Sequence, residues 1–483
     1  MVKELNEVWM IDYARTAFSR SRPREPERDV FGEIRSDVLL GTLINKFFEQ
    51  KLLDKGIEKK DMDEVTVGTA MGVYENWTYG GRLPCFIAEM PAEVPALFVD
   101  RQCGSAGSGL HVGIMEIMSG FSKICMATGV EHMTRVSMQN DWVRPNLDMI
   151  NKKSPYYRPQ YDLLTTINMI QTAQKLYEEE MPAFTKEDLD KFGVRSHNLT
   201  VKYTEEGWFK GEIIPIEAHA EGNVEEPMMV DRDMAARKST LEGVSGLRRI
   251  TTPFYLEKNG GKQGYIEREG TEEGVITAGN SSPLNAGATA AVLMEAEEAR
   301  KRGLEPMARI VSIGWAAVDP RVMGRGPVPA TRKALEYAGL QADDIDYWEI
   351  NEAFCIVALN CMDKFNIPEE KVNIMGGSTA IGHPLGSTVI RLTGTLARIL
   401  KDRKALVKKL NEKFKVFPSG ANFILIDVST ANLTADEFFN KLLNEKIIVR
   451  KFGKFLGFEG EYVRISVGTT EENNKLIEAL DEF

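Results

Sequence analysis

No stretch of the 483 residues strings together enough apolar side chains to cross a bilayer, which takes about 20 in a row. Cysteine is scarce: Cys85, Cys103, Cys125, Cys355 and Cys361, with no CxxC and no paired spacing. That excludes a disulfide framework, argues against a zinc site and points to a reducing compartment. Positive charge is also in deficit. The net charge of −11 argues against nucleic acid or an anionic membrane as the main partner. The start, Met1-Val-Lys-Glu-Leu-Asn-Glu, is charged and runs into a strand, so no leader peptide is expected. What is present, 43% apolar and 27% charged residues, predicts a globular cytoplasmic protein of about two to four domains.

The chain repeats itself at long range. Gly56-Ile-Glu-Lys-Lys-Asp-Met-Asp-Glu-Val-Thr-Val-Gly-Thr-Ala70 matches Gly339-Leu-Gln-Ala-Asp-Asp-Ile-Asp-Tyr-Trp-Glu-Ile-Asn-Glu-Ala353 at a constant offset of 283. Each copy reads as a helix end, an acidic capping turn and a strand. The same offset carries Cys103 onto Gly386. Two α/β halves would then set their strand-to-helix turns face to face across a pseudo-twofold axis. Residues 142–249 read as a polar, helical excursion from the first half, with helices near 162–179 and 186–203. Residues 251–271 read as a glycine-rich surface loop, 288–295 as the strand that closes the first half, and 308–317 as the strand that opens the second.

Pro95 to Cys103 reads as a short buried strand ending in the cysteine, followed by Gly104-Ser-Ala-Gly-Ser-Gly109 and then Val112, Met115 and Met118 at helical spacing. A thiol on a glycine-rich turn at a helix start sits where free N–H groups and the helix dipole favour thiolate. A second glycine-rich turn, Gly376-Gly-Ser-Thr-Ala-Ile-Gly-His-Pro-Leu-Gly386, holds His383, and Asn351-Glu-Ala-Phe354 ends the repeated strand. Each alone has a plain alternative: a packed cysteine, a core histidine, a strand-ending asparagine. Together they make a Cys–His pair with a polar helper, the logic of acyl transfer through a thioester.

Residues 1 to about 404 resemble the thiolases, most closely the degradative 3-ketoacyl-CoA thiolases. The matching motifs are Arg15-Thr-Ala-Phe18, Asp100-Arg-Gln-Cys-Gly104, Gly129-Val-Glu-His-Met133, Thr277-Ala-Gly-Asn-Ser-Ser282, Gly326-Pro-Val-Pro-Ala330, Asn351 to Phe354 and Gly382-His-Pro-Leu-Gly386. The resemblance implies an α/β fold of five layers (α/β/α/β/α), a homodimer or homotetramer, and coenzyme A thioesters as substrates. It implies that Cys103 takes the acyl group, that His383 activates it, and that Asn351 positions a water for the enolate. Arg248, Ser282 and Gly382 fall at coenzyme A contacts and Met169 at the acyl pocket. The halves would comprise 1–147 with 250–300, and 301–404, with 148–249 as the loop domain between them.

The end of the chain departs from that family. Such thiolases close with a Cys-x-Gly loop that supplies a second, acid–base cysteine, and no cysteine follows Cys361 here. Residues 405–483 instead read as a small α+β module of strands 422–428, 447–451 and 462–467 with helices 435–444 and from 471. Val416-Phe-Pro-Ser-Gly-Ala-Asn-Phe-Ile424 and Val463-Arg-Ile-Ser-Val-Gly-Thr469 resemble the small domain of histidinol-phosphate aminotransferases. The resemblance gives Arg450 and Arg464 the role of vestigial substrate arginines. The cofactor lysine and large domain are absent, so no pyridoxal phosphate, nor any other cofactor, is expected. Residues 414–428 have a strand–turn–strand shape, and 422–428 is expected to dock on the open edge of the second-half sheet with Ser419 nearest the site; the alternative is that the last eighty residues pack as a separate lobe and leave that edge open.

Overall fold

A computed structural model of the chain describes residues 5–138, 145–158, 160, 163–181, 183–250, 254–256, 263–265, 274–417, 423–454, 459–467 and 470–481. Its main sheet runs Ala308–Ile310, Val8–Arg15, Asn285–Glu295, Ile124–His132, Glu64–Gly68 and Ala96–Val99, with Ser19–Arg20 pairing on Asn285–Glu295. The central strands Ile124–His132 and Asn285–Glu295 are buried almost throughout, as continuous apolar runs require when both faces are covered. Helix Ser36–Phe47 covers one face through Leu39, Leu40, Leu43 and Ile44. On the other face lies helix Ser105–Ser119, which packs against Thr388–Asn411. Gly107 permits that approach, since a Cβ there would stand 2.8 Å from Val389. Among the described residues no helix is long and apolar enough to cross a membrane.

The repeat is visible in backbone detail. Gly56 and Gly339 end their helices at φ 66° and 67°, the left-handed conformation glycine adopts without strain. Glu58 with Asp61, and Gln341 with Asp344, then form equivalent capping boxes. In the first half Val65 pairs in parallel with Ala96. Its equivalent at the 283 offset, Trp348, pairs in parallel with Val372.

The halves then part. The two central strands of the first half follow its Ser105–Ser119 helix in sequence. In the second half the chain leaves the equivalent helix, Thr388–Asn411, for the C-terminal module. The missing pieces are therefore the middle of the second β layer, not its edges. Without them, Trp348–Val372 is an isolated bridge among the described residues. The strand expected at 308–317 shortens to Ala308–Ile310 and pairs with Val8–Arg15 of the first half. Val311 and Trp315, which follow it, are half exposed. A strand exists only where a neighbour accepts its hydrogen bonds.

The C-terminal module does not fill that gap. Lys415–Phe417 pairs with Phe423–Asp427, and Tyr462–Ser466 and Arg450–Gly453 complete a separate four-stranded sheet. The described part of 414–428 thus closes its own sheet, and docking on the second half is corrected; Ser419 lies outside the described residues. Phe438, Ile424, Ile426, Val463 and Leu480 form the module's core. Leu406 and Leu410 of the Thr388–Asn411 helix belong to it, whereas Ile399 and Ala397 pack in the cores on the two faces of the main sheet. One unbroken helix serves both bodies.

Elsewhere the elements follow the pattern with small shifts. The helix expected at 162–179 is two, Leu163–Thr166 and Met169–Glu180, because the Asn168 side chain accepts N–H bonds from Ile170 and Gln171 and starts the second afresh. Lys186–Glu205 opens on a capping box of Thr185 and Asp188. The strand before Cys103, Ala96–Val99, is a half-exposed edge strand rather than a buried one. Only Phe254–Leu256 and Gln263–Tyr265, a short strand pair, are described within the expected loop at 251–271.

Candidate active site

Cys103 sits in the single 3-10 turn Gln102–Gly104, immediately before helix Ser105–Ser119. Gln102 takes φ 49° there, held by Nε2–H donation to Ala70 O at 3.1 Å. Ser105 Oγ donates to Gln102 O at 2.7 Å and accepts from Arg101 N at 2.9 Å. Cys103 packs against a cluster of Ala70, Met71, Met133, Val136 and Leu385. Leu385 belongs to the second turn, so the two turns meet as the repeat predicts. One buried carboxylate ties them: Glu131 Oε2 accepts Ala70 N–H at 2.8 Å and Gly386 N–H at 2.9 Å. Asn76 Nδ2 and Thr69 Oγ1 donate to its other oxygen at 2.8 and 3.2 Å. Gly386 has no room for a side chain, because a Cβ would meet the Thr69 Cα at 2.5 Å.

His383 is buried, and its two nitrogens face different partners. Nδ1 lies 2.6 Å from Thr388 Oγ1 and Nε2 lies 3.4 Å from Asn351 Nδ2. Thr388 Oγ1 donates its own proton to Pro384 O at 2.8 Å, so it accepts one from His383 Nδ1–H, leaving the lone pair on Nε2. The backbone N–H of His383 donates to Asn285 Oδ1 at 2.7 Å. The preceding Gly382, at φ 118°, leaves space for that same amide. Burial first and Arg391 second hold the imidazole far down, at about 3, so it is neutral at physiological pH. A neutral imidazole with an unprotonated Nε2 is a base in waiting.

Ser282 joins the group through its N–H and Oγ, which both donate to Ala353 O at 3.0 and 3.1 Å. Met169, half-buried, opens its helix, and Arg248 is exposed beside the Arg249–Thr277 bridge. Arg450 and Arg464 lie opposite each other in the C-terminal module, over Phe452 and Phe423 respectively. Cys355 and Cys361 are buried in helix Cys355–Phe365, as packing cysteines are. Sequence reasoning gave no part to Glu131, Glu352, Ser378, Thr388 or Arg391. Glu352, fully buried, accepts Ser196 Oγ–H at 2.7 Å and Asn373 Nδ2–H at 2.6 Å, and anchors the histidine turn by accepting Thr379 N–H at 3.1 Å. A carboxylate amid apolar strand residues, as in Val130-Glu131 and Ile350-Asn-Glu352, was the available signal.

The expectation of a ready thiolate is corrected. Burial, and then the negative charge of Glu131, push the Cys103 thiol up to about 12, outweighing the backbone N–H that favours its anion. Burial also raises Cys85 to about 11 and Cys361 to about 12. Cys103 is half-buried, whereas the other four are buried. Iodoacetamide is therefore expected to reach Cys103 first, with a rate that climbs steeply with pH instead of levelling near neutrality. Glu131→Gln removes the opposing charge, lowers the thiol pKa and moves that curve to lower pH. Peptide mass spectrometry on folded protein checks this; equal labelling of all five cysteines would count against it.

Comparison with known proteins agrees with this geometry. Residues 14–260 match the thiolase N-terminal domain and 304–409 the thiolase C-terminal domain, while 378–480 match the class I and II aminotransferases. The chain is 35% identical over 399 residues to a 3-ketoacyl-CoA thiolase of Marinobacter nauticus, covering 82% of this chain and 92% of the relative. Against that of Saccharophagus degradans it is 34% identical over 403 residues, 83% and 93% covered. Among solved structures, the acetyl-CoA acetyltransferase of Bacillus anthracis superposes with a TM-score of 0.67 at 27% identity, over 83% of this chain and 94% of that one. The dimeric peroxisomal thiolase of Saccharomyces cerevisiae gives 0.68 at 27% identity, over 82% and 92%. With its paired turns, its internal repeat and four-fifths of its length accounted for in this way, the chain belongs to the thiolase family.

Proposed function

We propose that the protein is a thiolase-type acyltransferase in which Cys103 takes the acyl group of a coenzyme A thioester. His383 Nε2 removes the thiol proton, the Cys103 sulfur bonds to the acyl carbon, and the bond to the coenzyme A sulfur breaks as that thiol regains a proton. The raised thiol pKa makes this removal the task of a base at the moment of attack. Asn351, beside His383, is the donor for the water or oxygen on which enolate charge develops. The observation that carries the reading is the meeting of the two turns, with a buried neutral histidine whose unprotonated nitrogen faces the Asn351 amide. The substrate class comes from the relatives, named 3-ketoacyl-CoA thiolases, which suggests a place in fatty acid β-oxidation in the cytoplasm. For coenzyme A and acyl contacts we propose Arg248, Ser282, Met169 and Gly382. A homodimer is proposed by analogy with the yeast enzyme.

A narrower activity is favoured by two observations: among the described residues the second half has no central strands, and no cysteine follows Cys361. On that ground the chain accepts an acyl group but completes carbon–carbon cleavage poorly. Incubation with radiolabelled acetyl-CoA is expected to leave label on the Cys103 peptide, and none in Cys103→Ala. Absence of label from the unmutated chain would reject the acyl-enzyme.

A further inference from the structure

We infer that Ser378 is a positioning residue that fixes which way the Asn351 amide faces, under the control of Arg391. Its geometry stands apart from the acyl-transfer reading, although its use in catalysis rests on that reading. Arg391 is fully buried, and a guanidinium in a protein donates and never accepts. Its Nη2–H goes to Ser378 Oγ at 2.8 Å, and Ser378 Oγ lies 2.7 Å from Asn351 Oδ1. With its oxygen already accepting, Ser378 has one proton to place, and Asn351 Oδ1 takes it. The amide therefore turns its NH2 to the opposite side, where His383 Nε2 lies 3.4 Å away.

The histidine imposes the same polarity from its own end. Because Nδ1–H is committed to Thr388, Nε2 carries a lone pair and asks for a donor. A reversed amide would press Oδ1 against that lone pair and leave the Ser378 hydroxyl proton without an acceptor, two unmade hydrogen bonds where water is excluded. Arg391 is itself held by Glu349, Nη1 to Oε2 at 2.9 Å, with both side chains buried. Arg391 thus donates to Glu349 on one side, and on the other heads a chain, Arg391–Ser378–Asn351–His383–Thr388, in which donation runs one way. The groups facing His383 are Arg391 and Thr388 from the Thr388–Asn411 helix, Asn351 from the repeated segment and Asn285 from its strand. Ser378 touches none of the reacting atoms; it acts through Asn351.

The test uses the full chain labelled with ¹⁵N-histidine, His383 being assigned by the signal lost in His383→Gln. In the unmutated protein and in Ser378→Thr, which keeps the hydroxyl, His383 is expected to carry its proton on Nδ1 and to titrate near its low value of about 3. In Ser378→Ala the freed amide can offer Oδ1 to a protonated Nε2, so the titration midpoint should rise by about one pH unit or more. A midpoint unchanged in Ser378→Ala overturns the proposal, as does a proton on Nε2 in the unmutated chain, which decides the matter even if the alanine variant does not fold. Labelling of Cys103 by acetyl-CoA is followed in parallel. A chain whose His383 titrates as stated but whose Cys103 stays unlabelled rejects the acyl-transfer reading alone.

Discussion

Thiolysis of acetoacetyl-CoA by this chain is expected to run ~10²–10⁴-fold slower than by a version given back two strands and a Cys-x-Gly loop after residue 404. The lost loop would bring a general acid for the leaving enolate. Losing the glycine N–H that such a loop would aim at the acyl oxygen costs about another 10²-fold. Cys355 and Cys361 cannot stand in, being buried in a helix, with Cys355 far above its ordinary thiol pKa through burial first and Glu352 second. Acylation of Cys103 should survive, since Cys103, His383 and Asn351 do not depend on the module. The decisive comparison is steady-state thiolysis beside single-turnover acylation for both proteins. Equal thiolysis rates would mean that another group protonates the enolate here.

Removing Arg15 should cost more stability than any other single change at the seam between the first half and the 148–249 segment. Its guanidinium is fully buried, bonded to Glu212 Oε1 at 2.7 Å and to both oxygens of Asp233 at 2.7 and 2.9 Å. Asp233 Oδ1 also accepts Phe18 N–H at 2.8 Å. Despite burial, these two carboxylates hold the Arg15 pKa above its ordinary value. Arg15→Met leaves two carboxylates buried with no cation, a loss of about 3–5 kcal/mol. Because stranded acids hold their protons more tightly when folded, the variant should recover stability as pH falls and lose it as pH rises. Urea denaturation of both proteins across a pH series measures this; a loss below about 1 kcal/mol would show that Glu212 and Asp233 find other partners.

The repeat, the two turns and the module were legible because each is written locally, in capping boxes, glycines and alternation. What escaped the sequence is non-local. Glu131 and Ser378 look like ordinary strand and turn residues until folding brings Gly386 to one and Arg391 to the other. The Cys103 turn was read correctly in its backbone but not in its charge state, which depends on burial and on Glu131, a residue 28 positions on in sequence. The strand at 308–317 has the right composition, yet most of it has no partner, so composition could not decide its length. The expected docking at 414–428 failed for the same reason in reverse: Phe423–Asp427 finds a better partner in Tyr462–Ser466 of its own module.

The helix Thr388–Asn411 has Ile399 in one core and Leu406 in another, which makes the join between the two bodies a matter of angular phase. Each residue of an α-helix advances the chain by about 1.5 Å and turns it by about 100°. Deleting one residue between Ile399 and Leu406 would therefore swing the whole C-terminal module a quarter turn around the helix axis. A seven-residue insertion would bring it back to within about 20° of its original bearing. A flexible tether tolerates any length; this one admits only those that return the module to the same bearing.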